Sequence, residues 1–259
     1  MVTELHTVRF DATLLITLAG PDTKNALHPE MLAAAIEIIS TAERDATVRA
    51  IVLNGADGCF CTGADLRQLQ QSRVQDKSIQ IADSNSLQNF IETINNCAKP
   101  VIAAIEGVAA GSGFSLSLAC DFIVAGTSAR FMMSGVGLGL TPDGGGTWFL
   151  TQALPRQIVA EILLTGQPIT AVRLHQLGIV NRLVADGHAQ EEAVVLADEL
   201  VRLPANVLAS IKLMLQEAHG HLLGQQMRNE SHRFIENLQH RNAQEGIDAF
   251  LSKHRPNFK

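Results

Sequence analysis

The 259-residue sequence contains no tyrosine and a single tryptophan, and aromatic residues make up 4% of it. Without a phenol, no mechanism that uses tyrosine as acid, base or nucleophile is open, so side-chain chemistry falls to carboxylates, histidines, lysines, serines and cysteines. Cysteine is scarce. Cys59, Cys61, Cys97 and Cys120 lack the CxxC spacing of a structural zinc site and are expected to be reduced and buried. The nine histidines are dispersed, and His219 and His221 have no acidic neighbours at metal-ligand spacing, so they are expected at the surface and no metal site is expected. Long apolar runs are missing too: the most membrane-like stretch, Gly107 to Cys120, is 14 residues long, short of the roughly 20 that a spanning helix needs. The N-terminal MVTELHTVRF has no signal or transit pattern, and a soluble, cytoplasmic location is expected. Basic charge is in deficit, with 20 Lys and Arg against 26 Asp and Glu, which argues against a nucleic-acid binder and requires any anionic ligand to find a local basic patch. Nucleotide loops are absent as well. No Gly-Lys-Ser/Thr follows the glycines, Gly107, Gly111 and Gly113 miss the GxGxxG spacing, and Gly111-Ser112-Gly113 is not a GxSxG elbow.

What is present is an apolar, globular composition, 46% hydrophobic and 18% charged, in a chain long enough for a substantial core. HTVRF and TLLITL, separated by Asp11 and Ala12, read as a hairpin. HPEMLAAAIEIISTAERD reads as a helix with Pro29 in its first turn and Met31, Leu32, Ile36 and Ile39 on one face. RAIVLN, PVIAAI and FIVAG read as buried strands, with helices near 86–98 and 111–120 between them. Strand alternating with helix predicts an α/β fold with largely parallel strands. From Arg156 onward strand signals vanish, and helices are predicted at 156–165, 190–202, 204–218 and 225–252, the third starting at Pro204. The polar stretch 67–85, with Gln68, Gln70, Gln71 and Gln80, is expected to be a mobile lid loop.

Three glycine-bearing segments each follow a predicted strand: GCFCTGADL, EGVAAGSGFSLSLACD and GVGLGLTPDGGGTWFL. Ten of the 20 glycines lie between Gly107 and Gly146. Glycine permits close backbone approach, and a strand-to-helix turn leaves the first N–H groups of the helix unpaired. Two such turns facing each other would form an oxyanion hole. Asp143, in Thr141-Pro142-Asp143-Gly144, also sits in a strong turn sequence.

The ordered motifs FCTGADL, EGVAAGSGFSLSLACD, LGLTPDGGGTWFL and FLSKHRPNF, together with KNAL at Lys24 to Leu27, resemble the enoyl-CoA hydratase/isomerase family, the crotonase superfamily, over essentially the whole chain. The resemblance implies a spiral of ββα repeats, placed at 1–195, followed by a C-terminal helical region at 196–259 that assembles a homotrimer or a dimer of trimers. It implies an acyl-CoA thioester as substrate, with coenzyme A as part of that substrate and no separate cofactor. By position, the oxyanion donors would be the backbone N–H groups of Ala64 and Ser112, the latter between Gly111 and Gly113, each worth about 3–4 kcal/mol in comparable holes. Lys24, beside Ala26, and Lys253, reaching from a neighbouring subunit, would serve the nucleotide phosphates. The backbone around Thr62 and Leu66 would flank the pantetheine and adenine, Asp65 would be structural or substrate-facing, and Ser115 would line the helix or hold substrate or water. Asp121 reads as a structural acid and Trp148 as core packing.

The two glutamates of the family's hydratases correspond here to Ser115 and Gly135, so both hydratase carboxylates are missing. TPDGGGTW instead resembles the segment of the phenylacetate-pathway isomerase branch, in which the aspartate, here Asp143, is the catalytic base. The leading expectation is therefore a single-base isomerase. Its alternatives are a hydratase-like enzyme using Asp143 and water, an aryl-CoA hydrolase or dehalogenase with Asp143 as nucleophile, and a non-catalytic acyl-CoA binder.

Overall fold

The computed structural model describes residues 3–258; Met1 and Val2, which open the MVTELHTVRF segment read above for targeting signals, and Lys259 lie outside the described residues. β1 (Glu4–Phe10) and β2 (Thr13–Ala19) form the expected antiparallel hairpin. α1 (Pro29–Arg44) follows, with Pro29 in its first turn and Met31, Leu32, Ala35, Ile39 and Ala42 buried along one side. Next come β3 (Ala50–Gly55), α2 (Leu66–Ser72), α3 (Lys77–Asn96), β4 (Val101–Ile105), β5 (Val108–Ala110) and α4 (Ser112–Ala119). β6 (Phe122–Gly126), β7 (Arg130–Met132), a 3-10 turn at Ser134–Leu138, α5 (Gly146–Ala153) and α6 (Arg156–Thr165) continue the chain. It closes with β8 (Ile169–Thr170), α7 (Ala171–Gln176), β9 (Arg182–Val184), α8 (Ala189–Val201), α9 (Ala205–Ala218), α10 (Leu223–Leu238) and α11 (Arg241–Leu251).

The main sheet runs β1-β2-β3-β4-β6-β9, parallel from β2 onward, and a second sheet runs β5-β7-β8. Isolated parallel bridges Leu27–Ala64 and Cys61–Ala109 extend the second layer toward the start of the chain. The chain therefore winds as a spiral: a strand in the main sheet, a short segment in the second layer, then a helix. Both faces of the main sheet are covered from β2 to β6, which accounts for the nearly unbroken apolar runs of those strands, whereas β1 at the edge is exposed. Ile16, Ile51, Leu53, Ala103, Ile105 and Ile123 face the interior of the spiral, whereas the alternate residues Leu15, Val52, Ile102, Ala104 and Val124 pack against Ala189, Ala193, Leu196 and Ala197 of α8. Glu106 fastens α8 at its start by accepting from the N–H groups of Gly187 and Ala189, and Arg182 of β9 pairs with its Glu192 and Glu199.

Three expectations fail locally. Residues 67–85 are not a loop: Asp65 caps α2 by accepting from the N–H of Arg67 at 2.8 Å, and Asp76 caps α3 by accepting from Ser78 at 2.8 Å. The polar composition misled because most of α3 faces outward, with burial confined to Leu87, Phe90, Ile91 and Ile94. The helix predicted over 225–252 is two helices, since His240 caps α11 by accepting from the N–H of Asn242. Strands also persist beyond Arg156, as β8 and β9, each too short to show periodicity.

Candidate active site

The site forms where consecutive turns of the spiral meet in the second layer. Gly63 has a φ of +84°, and a Cβ there would lie 2.6 Å from the carbonyl oxygen of Ala110 and 3.1 Å from the nitrogen of Ser112. Only glycine permits this approach, which sets Ala64 beside Ser112. Gly111, at φ +52° and ψ −126°, then turns the chain sharply into α4. Ser112 is the first residue of that helix, so its N–H has no intrahelical acceptor and faces outward at the positive helix end. In the neighbouring turn Leu27 donates to the Gly63 carbonyl at 2.7 Å, and among the described residues the N–H of Ala64 has no backbone acceptor. Ser112 is itself 2% exposed, and its hydroxyl has no partner among the described residues.

Ala64, Ser112 and Asp143 line one cavity of about 880 Å³. Asp143 precedes Gly144 and Gly145, both left-handed at φ +59° and +78°, which lead into α5. Its side chain is open to the cavity while surrounding protein removes part of its hydration, and this pushes its carboxyl above the ordinary carboxylate range. Apolar lining comes from Leu27, Leu32, Leu87, Leu138 and Leu140, and polar lining from Arg67, Arg73, Gln68, Gln80 and Asp83. The side chains of α2 and of the first half of α3 were missed as site residues because residues 67–85 read as a loop; the capping aspartates Asp65 and Asp76 were the available signal. An adjoining cavity of about 430 Å³ shares Asp65, Arg67, Gln68, Ser72 and Asp83 and is lined also by Ala26. A smaller one of about 110 Å³ includes Thr62, Leu66, Gly111 and Gly135 beside Ala64, Ser112 and Asp143.

The remaining sequence candidates are placed as follows. Ser115 is fully buried outside the lining of these cavities, and its hydroxyl donates to the Asp143 carbonyl oxygen at 2.7 Å. The Asp65 carboxylate is engaged as the α2 cap even though it borders the cavity. Lys24 and Lys253 are exposed, both at positive φ, and are not among the residues lining the cavity; the Lys24 carbonyl instead accepts from Thr62. Asp121 accepts from the N–H of Val101 at 2.8 Å and pairs with Lys212 of α9 at 2.5 Å. Burial raises its pKa against the pull of Lys212. Trp148 is not core packing: it is 47% exposed on the face of α5 opposite buried Gly146 and Leu150, with edge contacts to Phe149 and His219. All four cysteines are free, and burial pushes the Cys61 thiol up to about 12. Among the described residues no cluster of histidine, cysteine, aspartate or glutamate suits a metal ion, and no helix is long and apolar enough to cross a membrane.

Known proteins resemble this chain in sequence and fold. The family model for enoyl-CoA hydratase/isomerase matches residues 10–259. The 1,2-epoxyphenylacetyl-CoA isomerase of Escherichia coli is 34% identical, with 95% of this chain and 94% of that protein covered. The 2,3-dehydroadipyl-CoA hydratase of Escherichia coli is 31% identical, with coverage of 100% and 99%. The crystal structure of an enoyl-CoA hydratase from Polaromonas sp. JS666 superimposes with a TM-score of 0.97 at 44% identity, covering 98% of this chain and 99% of that one. The architecture is the crotonase fold, a spiral core followed by C-terminal helices. The chain belongs to the enoyl-CoA hydratase/isomerase family, whose substrates are acyl-CoA thioesters.

Proposed function

We propose that this protein is an acyl-CoA isomerase that moves a carbon–carbon double bond in an unsaturated or ring-derived acyl-CoA, with Asp143 as its single acid/base. The Asp143 carboxylate takes a proton from the acyl chain, and the electron pair delocalises onto the thioester oxygen as an enolate. The N–H groups of Ala64 and Ser112 hold that oxygen, a contribution of about 3–4 kcal/mol per donor at the transition state. Protonated Asp143 then returns the proton to a different carbon, so the product keeps the substrate's composition and no redox or metal cofactor enters the step.

One observation carries this reading: Asp143 shares a cavity with both donors, while the positions of the family's hydratase glutamates hold a serine turned away from it and a glycine. The buried, unpartnered hydroxyl of Ser112 fits a site completed by an oxygen-bearing ligand, because an orphaned hydroxyl costs about 1–3 kcal/mol. In the same reading Ala26, Thr62, Asp65, Leu66 and Gly111 flank the CoA ester, with Lys24 and a neighbour's Lys253 near its phosphates. Residues 196–259 assemble a homotrimer around a 1–195 core, and the enzyme acts in the cytoplasm on fatty or phenylacetate-derived acyl-CoA. Hydration is the second reading, favoured by Asp83, a further carboxylate on the cavity wall that would have to activate water.

Asp143→Asn removes the base at constant shape. Isomerisation of 3-enoyl-CoA substrates is expected to fall by about 10²–10⁴-fold, with acyl-CoA binding retained by calorimetry; wild-type turnover in this variant would overturn the assignment.

A further inference from the structure

We infer that Ser115 is a positioning residue that fixes the Asp143 segment to the same helix that supplies the oxyanion donor. The inference rests on the reading of Asp143 as the base. Ser115 lies three residues after Ser112 on α4, so one rigid element carries both the donor at its first N–H and this hydroxyl in its next turn. The hydroxyl is 0% exposed and donates to the Asp143 carbonyl oxygen at 2.7 Å, whereas the N–H of Gly146 reaches that oxygen only at 3.3 Å.

The glycines after Asp143 lie directly on this side chain. A Cβ at Gly144 would come 3.0 Å from the Ser115 Cβ, and one at Gly146 would come 2.7 Å from its Oγ. Two consecutive left-handed glycines leave the segment little intrinsic stiffness. A tether from outside the segment is therefore what sets where the Asp143 carboxyl stands relative to Ala64 and Ser112. The small serine side chain lets the glycine segment lie against it, since a Cβ at Gly146 would crowd its hydroxyl.

The test compares Ser115→Ala with Asp143→Asn in the full-length protein, measuring kcat and KM for acyl-CoA isomerisation alongside thermal melting. Ser115→Ala is expected to lower kcat by about 10–100-fold, the scale of a misplaced catalytic group, while KM stays at its wild-type value. Wild-type kcat, or a loss confined to KM, overturns the inference. Asp143→Asn separates the two levels: if it is inactive while Ser115→Ala behaves as wild type, the positioning role alone fails, and if Asp143→Asn is fully active, the underlying reading fails. Should Ser115→Ala not fold, Ser115→Cys fills the space and retains a weaker donor; a fall in kcat at constant KM supports the inference and wild-type kcat overturns it.

Discussion

A carboxyl that has to accept a proton from carbon works best with its pKa lifted toward the operating pH, and partial dehydration in the cavity moves Asp143 in that direction from 3.8. With Asp143 as the proposed base, the active form is the deprotonated one, so activity is expected to climb as pH rises through the pKa of the folded protein. The acid limb of kcat/KM is expected to have its midpoint above 3.8; a pH–rate profile with a midpoint below that value, or with no acid limb, would contradict the role. Two other ionisable groups nearby are differently committed. Asp65 caps α2, and Cys61, raised to about 12, stays a neutral thiol at physiological pH. That Ala64, Ser112 and Asp143 border one cavity was legible from the family resemblance of their glycine-marked turns. The part played by Ser115 was not, because its hydroxyl meets a carbonyl 28 residues further along the chain and only packing brings them together.

Among elements, β2, β3, β4, β6 and α1 are legible because burial on both sheet faces and amphipathic spacing are written locally, whereas β9 of the same sheet, three residues long, is not. The second sheet is not: β5, β7 and β8 are two or three residues long and depend on the spiral for their partners. α2 and the first half of α3 escaped notice because their segment is rich in polar residues, which is also why Arg67, Arg73 and the glutamines emerged as lining residues only in three dimensions. The last three helices are joined by a side-chain network: Asn206 donates to Asn237, Asn237 to Ser210, and Asn242 to Asn206. On their outer side they leave Met227, Phe234, Ile235, Phe250 and Leu251 exposed, Phe250 by 83%. Each such side chain is worth about 1.5–3 kcal/mol on burial, enough together to drive assembly. Light scattering is expected to find three or six protomers, and the double variant Phe234→Asp, Phe250→Asp is expected to run as a monomer. A monomeric wild-type protein would rule out this role for the C-terminal helices.

At the scale of the whole molecule, the spiral does the work that no single element does, stacking strand-to-helix turns so that backbone donors from two turns and a carboxylate from a third border one cavity. α8 closes the back of the sheet, and the Lys212–Asp121 pair ties α9 to the edge of the core. The chain carries a net charge of −6, and Arg67 and Arg73 place positive charge on the cavity wall. Under the proposed isomerisation this arrangement would relocate a proton within the substrate, whereas hydration must add solvent oxygen. The most direct measurement is turnover of a 3-enoyl-CoA in water enriched in oxygen-18, followed by mass analysis of the product. The account predicts a 2-enoyl-CoA with unchanged mass and no heavy oxygen; a hydroxyacyl-CoA carrying the label as the primary product would contradict it.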